Sequence, residues 1–176
     1  MTSYTYQLPF YRGRLKPIEI FDDQQQKLGS FQRYYRNTIQ KIIDRVMGYD
    51  FALNVRSLDA DHQLICELME EMHFKSWLRT TWKGYSRNLG DFTLHDKSKI
   101  KTHPRMEVHT SVGDTYLIQK DFADRRVWFK DKDGRTLAEV TYDKIMPPQT
   151  INIHLHSSEL QVYEAAVLYY ILSMKY

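Results

Sequence analysis

The chain has 176 residues and a formal net charge of +3, with 42% hydrophobic and 14% aromatic residues. That length suits one domain around one core, 1–176, with 1–17 expected to be loosely ordered, and the apolar content excludes a disordered chain. The charge falls short of the dense basic excess of a nucleic-acid footprint, so no specific nucleic-acid partner is expected.

A single cysteine, Cys66, rules out an internal disulfide framework and a cysteine-rich zinc site. Its neighbours Leu64, Ile65 and Leu68 make it a small buried hydrophobe, and a reducing compartment fits. Residues 1–13 have no charged segment leading into an apolar one, so a secretory signal is not expected and the default location is cytoplasmic, with a peripheral membrane role left open.

From the N-terminus, short apolar or alternating segments separated by Asp, Gly and Asn predict successive antiparallel strands. They run over 18–21, 28–35, 51–55, 64–69, 74–81, 91–95, 106–110, 115–120, 126–130, 136–142 and 151–156. Turns at Asp22, around Asp59 to Asp61, at Gly113 and at Asp131 to Gly134 join them as hairpins, because Asp side chains bond their own backbone and Gly accepts positive φ. Between the second and third strands, Ile39, Ile42, Ile43, Val46 and Met47 recur at helical spacing, with Asn37 or Thr38 to cap the start and Gly48 the end. Parallel pairing needs crossovers of a dozen or more residues, and none are visible, so a barrel or sandwich is favoured.

The last element, 160–176, predicts a second helix, with Ser158 and Gln161 spaced as a capping box. Every residue from Ala165 to Leu172 is apolar, so the helix either spans a membrane or is buried on all sides. A span needs about 20 apolar residues, and Gln161 and Glu164 interrupt this one, so no transmembrane span is expected. Only a sheet that wraps around a helix buries all its faces. The fold class is therefore mainly β with α, a closed antiparallel barrel around a buried C-terminal helix.

Repeated strand, Asp/Gly turn, strand units, such as Val127-Trp-Phe-Lys-Asp-Lys-Asp-Gly-Arg-Thr-Leu-Ala-Glu-Val140, together with the terminal apolar helix, resemble the tubby C-terminal-like superfamily, which includes the LURP-one-related proteins and the phospholipid scramblases. The resemblance covers roughly 18–176 and implies about twelve antiparallel strands around the helix. It is one of pattern, without a diagnostic motif. No phosphoinositide-binding residue of tubby proteins is carried over, and the cysteine-rich and calcium-binding segments of scramblases have no counterpart. The family-level expectation is a small bacterial tubby-like protein. A helix that fills the barrel leaves little room for a ligand, which moves function to the outer surface.

The sharpest candidate site is His95, Lys97, Lys99, Lys101, His103 and Arg105 at alternate positions. An extended segment would put them on one face as a positive stripe for anionic lipid or a phosphorylated ligand, and the plain alternative is a solvated strand face that Pro104 ends. Arg12, Arg14 and Lys16 form a weaker basic cluster. His154 and His156 share a strand face, yet a third metal ligand at a recognised spacing is missing, so surface histidines are the simpler account. Asp131-Lys-Asp133-Gly134 reads as a hairpin turn, since the later ligands of a calcium loop are absent. No nucleophile elbow, phosphate loop, dinucleotide fingerprint or metalloprotease motif occurs, and no cofactor is implied. Three functions stay open: a non-enzymatic binding module for anionic lipid or phosphate; a regulatory domain that binds a protein partner through Trp77, Trp82 and Tyr85; and a metal-dependent enzyme at His154 and His156.

Overall fold

The computed structural model describes residues 2–10, 15–47, 53–71, 80–99, 102–121, 124–146 and 148–176. In chain order the elements are β1 (Thr2–Leu8), β2 (Ile18–Asp22), β3 (Lys27–Tyr34), α1 (Thr38–Met47), β4 (Asn54–Asp59), β5 (Leu64–Glu70), β6 (Thr81–Ser86), β7 (Gly90–Asp96), β8 (Arg105–Thr110), β9 (Thr115–Lys120), β10 (Arg126–Asp131), β11 (Thr136–Tyr142), β12 (Gln149–Leu155) and α2 (Val162–Lys175). Each strand pairs antiparallel with its sequence neighbours, and β1 pairs with both β2 and β12, which closes the barrel. No strand edge remains unpaired.

Inward positions alternate with outward ones along each strand. The inner set includes Tyr6, Leu8, Ile20, Phe31, Leu68, Leu94, Met106, Ile118, Phe129 and Ile153, all essentially inaccessible. Through the middle runs α2, with Val162 and every residue from Glu164 to Leu172 buried. Tyr6, Phe31 and Tyr170 stack edge to face, with centroids 5.0 and 5.4 Å apart, and so tie β1 and β3 to the helix. At Gly29 a Cβ would lie 2.2 Å from the Leu58 carbonyl oxygen and 3.0 Å from the Tyr163 ring, so only glycine lets β3 pass the start of α2 there.

Three hairpins reuse one turn. Asp22, Asp59 and Asp131 each accept, through Oδ1, the backbone N–H groups two and four residues on, and each is followed three residues later by a positive φ at Gln25, His62 or Gly134. A register shift accompanies each turn, between Ile20 and Phe21, Ser57 and Leu58, and Phe129 and Lys130. This is a bulged hairpin whose aspartate substitutes for backbone acceptors.

Several expectations change. Thr2–Leu8, expected within a loosely ordered segment, forms the closing strand β1; its alternation was masked by Ser, Thr and Gln on the outer face. In place of the strand expected over 51–55, of which 51 and 52 lie outside the described residues, β4 begins at Asn54 and extends to Asp59. Of the strand expected over 74–81, residues 74–79 lie outside the described residues, and β6 runs from Thr81 to Ser86. The helix cap is Gln161, whose N–H donates to Glu164 Oε2 at 2.7 Å, so the box lies one turn later than Ser158 with Gln161.

Candidate functional site: the loop end of the barrel

Antiparallel closure gives the barrel two unlike ends. The turn end carries the short turns β2–β3, β4–β5, β6–β7, β8–β9 and β10–β11, together with the link from β12 to α2. The loop end carries the connectors β1–β2, β3–β4, β5–β6, β7–β8, β9–β10 and β11–β12, and α2 finishes there at Tyr176.

Charge divides the same way. Residues 22–27, 59–63, 86–91, 110–115, 131–136 and 156–161 at the turn end hold four Lys/Arg against nine Asp/Glu. Among the described residues of the loop-end connectors and 174–176 there are nine Lys/Arg against five Asp/Glu. The dipole of α2 is oriented against this separation, its positive N-terminus at the acidic end and its negative C-terminus at the basic one, but each terminus amounts to about half a unit charge and offsets only a small part of it.

Pairing sharpens the contrast. Three of the four turn-end cations are neutralised: Lys27 by Glu19 at 2.7 Å, Arg87 by Asp59 at 3.7 Å, and Arg135 by Asp131 and Glu159. At the loop end Lys41, Arg45, Lys99, Arg105 and Lys144 make no ion pair among the described residues. Lys120 instead lies over the Tyr142 ring at 5.2 Å.

The predicted stripe belongs to this end, with altered geometry. β7 stops at Asp96, whose Oδ1 accepts the Ser98 N–H at 2.9 Å, and the chain turns back so that Lys97 N–H donates to the Arg105 carbonyl, also at 2.9 Å. The segment is the β7–β8 connector, not one extended strand, because the aspartate turn and Pro104 end the pairing. Lys97, Lys99, His103 and Arg105 are exposed, and Lys101 lies outside the described residues. Lys97 is 3.4 Å from Glu107. His95 points outward against His109, with ring centroids 5.3 Å apart, and partial burial, then His109 and Lys97, lower its pKa. Of the weaker cluster, Lys16 is exposed, and Arg12 and Arg14 lie outside the described residues.

α1 was legible as a helix but not in its orientation. Asn37 caps it, its Oδ1 accepting the Gln40 N–H at 2.8 Å. Its buried side is polar: Asp44 Oδ1 accepts from Arg33 Nη2 at 2.7 Å and Oδ2 from the Tyr35 hydroxyl at 2.5 Å, while Gln40 Oε1 accepts from Asn54 Nδ2 at 3.0 Å. Arg33 shares the inward face of β3 with Phe31, so Asp44 reaches into the barrel mouth and α1 lies across it. Beside it, inward Glu70 accepts the Leu53 N–H at 2.7 Å and meets Lys175 Nζ at 3.4 Å; burial raises its carboxyl pKa, offset by Lys175. The apolar side of α1 faces away.

Neither of two concavities among the described residues here is an anion pocket. A cavity of about 150 Å³ lined by Lys120, Tyr142, Gln149, Ser173 and Tyr176 is smaller than the roughly 300 to 1,000 Å³ of ordinary ligand sites. An open concavity of about 700 Å³ beside α1 sets Glu70 and Glu71 against Arg36 and Lys83, which balances its charge.

Other candidates disperse. His154 Nδ1 is 2.9 Å from the Ser3 hydroxyl, and among the described residues no three His, Cys, Asp or Glu side chains converge as a metal shell. Trp82 is fully buried, its Nε1–H donating to the Leu53 carbonyl at 3.0 Å, so it is not a recognition aromatic; Tyr85 is exposed and Trp77 lies outside the described residues. Cys66 is buried, and burial and Glu164 push its thiol pKa up. No described helix is long and apolar enough to cross a membrane.

A search of curated proteins returned no match. A solved X-ray structure of a protein from Arabidopsis thaliana is similar in fold, with a TM-score of 0.53 at 11% sequence identity, over 98% of this chain and 90% of that one. The family model for the tubby C-terminal like domain matches residues 4–176, from within the closing strand to the residue that caps the axial helix, and the chain belongs to that family.

Proposed function

We propose that this protein is a non-enzymatic binding module that recognises the phosphate of anionic phospholipid or of a phosphorylated ligand through the loop end of the barrel. The carrying observation is the set of cations there that have no ion-pair partner among the described residues, opposite an end whose cations are mostly neutralised. Membership of the tubby C-terminal like family supports a binding role, and a barrel filled by α2 leaves its outside as the working surface.

In this reading Lys97, Lys99, Lys101, His103 and Arg105 contact the anion, with Lys41, Arg45 and Lys144 adding to the field. Each Lys or Arg near an anionic surface contributes about 1 kcal/mol, screened by salt over roughly 10 Å. Lys97 contributes less, because Glu107 already holds part of its charge. Replacing Lys97, Lys99 and Arg105 together by Gln should therefore weaken sedimentation with phosphatidylserine-containing vesicles by about tenfold to a hundredfold at low salt. Lys132→Gln at the turn end should leave it unchanged. Equal binding by the triple variant and the parent would remove this reading.

A further inference from the structure

The loop end also gathers the exposed apolar side chains. Eight of the eleven large hydrophobic residues exposed among the described residues lie there, and Leu64, Tyr85 and Val112 are the others. Three of them, Ile39 (68% exposed), Ile42 (57%) and Val46 (78%), line one side of α1 at intervals of three and four residues. Ile145 and Met146, 73% and 70% exposed, tip the β11–β12 connector, and Phe10 projects from the β1–β2 connector. These are three neighbouring connectors of the six around the rim, and the lysine-bearing β7–β8 connector lies across from them.

Scattered surface apolar residues need no explanation, but a contiguous set rimmed by charge does. The buried Arg33–Asp44 pair fixes the inverted orientation of α1 by holding its polar side down. Lys41, Arg45 and Lys144 interleave with the apolar tips and carry no ion pair among the described residues. Apolar residues among cations match a bilayer interface, where acyl chains lie beneath anionic headgroups. A second copy of this chain would bring like charges together, which disfavours self-association through this face.

We infer that the outward side of α1 and the Ile145–Met146 tip insert into the headgroup and acyl boundary of an anionic bilayer, so that the barrel docks loop end down on a membrane surface rather than on a free phosphate ligand. This rests on the anion-binding reading above and names its partner. Insertion supplies the apolar contribution, and the β7–β8 lysines engage headgroups across the rim.

The test uses Ile42→Gln with Val46→Gln, neutral changes at exposed sites, so that any loss is not charge repulsion. Binding is measured by sedimentation with vesicles of phosphatidylcholine alone and mixed with phosphatidylserine, alongside binding of inositol hexakisphosphate as a free phosphate probe. The expected result is a thermal melt like the parent's and at least about tenfold weaker binding to the mixed vesicles that high salt does not erase, with the phosphate probe unaffected. If the Gln pair binds vesicles like the parent while the lysine-loop variant does not, the anion reading stands and insertion is overturned. A parent that binds the phosphate probe but no vesicle also overturns it. So does a parent that runs as a dimer which Ile42→Gln dissociates, since the face is then a self-interface.

Discussion

Gln25 and His62 adopt φ of 60° and 61° at the turn position that Gly134 fills in the third copy of the same loop. A left-handed backbone costs a non-glycine residue about 1 to 2 kcal/mol, partly offset by the entropy glycine loses on folding. Gln25→Gly and His62→Gly should each raise the melting temperature by a few degrees, and Gly134→Ala should lower it, as read by calorimetry. The aspartate that heads each turn was legible in the sequence, whereas the strained fourth position was not, because nothing in Gln or His announces positive φ.

Glu164 makes a second point at this scale. It is buried within the barrel, accepts from the Ser86 hydroxyl and the Gln161 N–H, and burial raises its pKa against the pull of those bonds. A carboxyl whose folded pKa exceeds its unfolded value of about 4.3 binds more protons when folded, so it subtracts stability as pH rises from that value through the raised one. Glu164→Gln keeps an acceptor for the cap and removes the titrating group. The stability of Glu164→Gln relative to the parent should therefore grow as pH rises from about 4.3, and a constant difference across denaturant melts would contradict the burial argument. The difference isolates Glu164 from Asp124, Asp131 and Asp143, whose depressed pKa values act in the opposite sense at lower pH.

Among the elements, α1 shows where pattern and fold part. Spacing of Ile39, Ile42, Ile43 and Val46 gave the helix, and the ordinary rule would have turned that side inward. Arg33, inward on β3, reverses it: a guanidinium buried at the mouth needs a carboxylate, and Asp44 is the one that reaches it. Periodicity does not register a partner eleven residues away. Removing one member of a fully buried pair strands the other, so Asp44→Ala should cost about 3 to 5 kcal/mol, whereas Arg33→Met with Asp44→Leu should recover much of that loss. Chemical denaturation of the three proteins separates these outcomes. The β7–β8 connector parted from expectation for a local reason, the Asp96 turn and Pro104, so its charges kept their exposure and lost their common strand face.

For the molecule as a whole, the barrel and its axis followed from one constraint: a helix apolar on every side that is too short to span a bilayer must be wrapped by a closed sheet. That argument did not supply the closing strand β1, whose Thr2–Leu8 alternation shows Tyr and Leu inward but Ser, Thr and Gln outward. Nor did it supply the separation of the two ends, which exists only once alternate connectors are gathered at opposite poles of the barrel.

The proposed docking sets the loop end against an anionic membrane. Cys66 is buried and its thiol pKa raised, so a polarity-sensitive thiol label can be directed to Ile42→Cys at the loop end or Val112→Cys at the turn end without competition from the native cysteine. On addition of phosphatidylserine-containing vesicles the Ile42→Cys label should shift its emission to the blue while the Val112→Cys label stays unchanged; equal shifts at both ends, or a shift at Val112→Cys alone, would contradict the account.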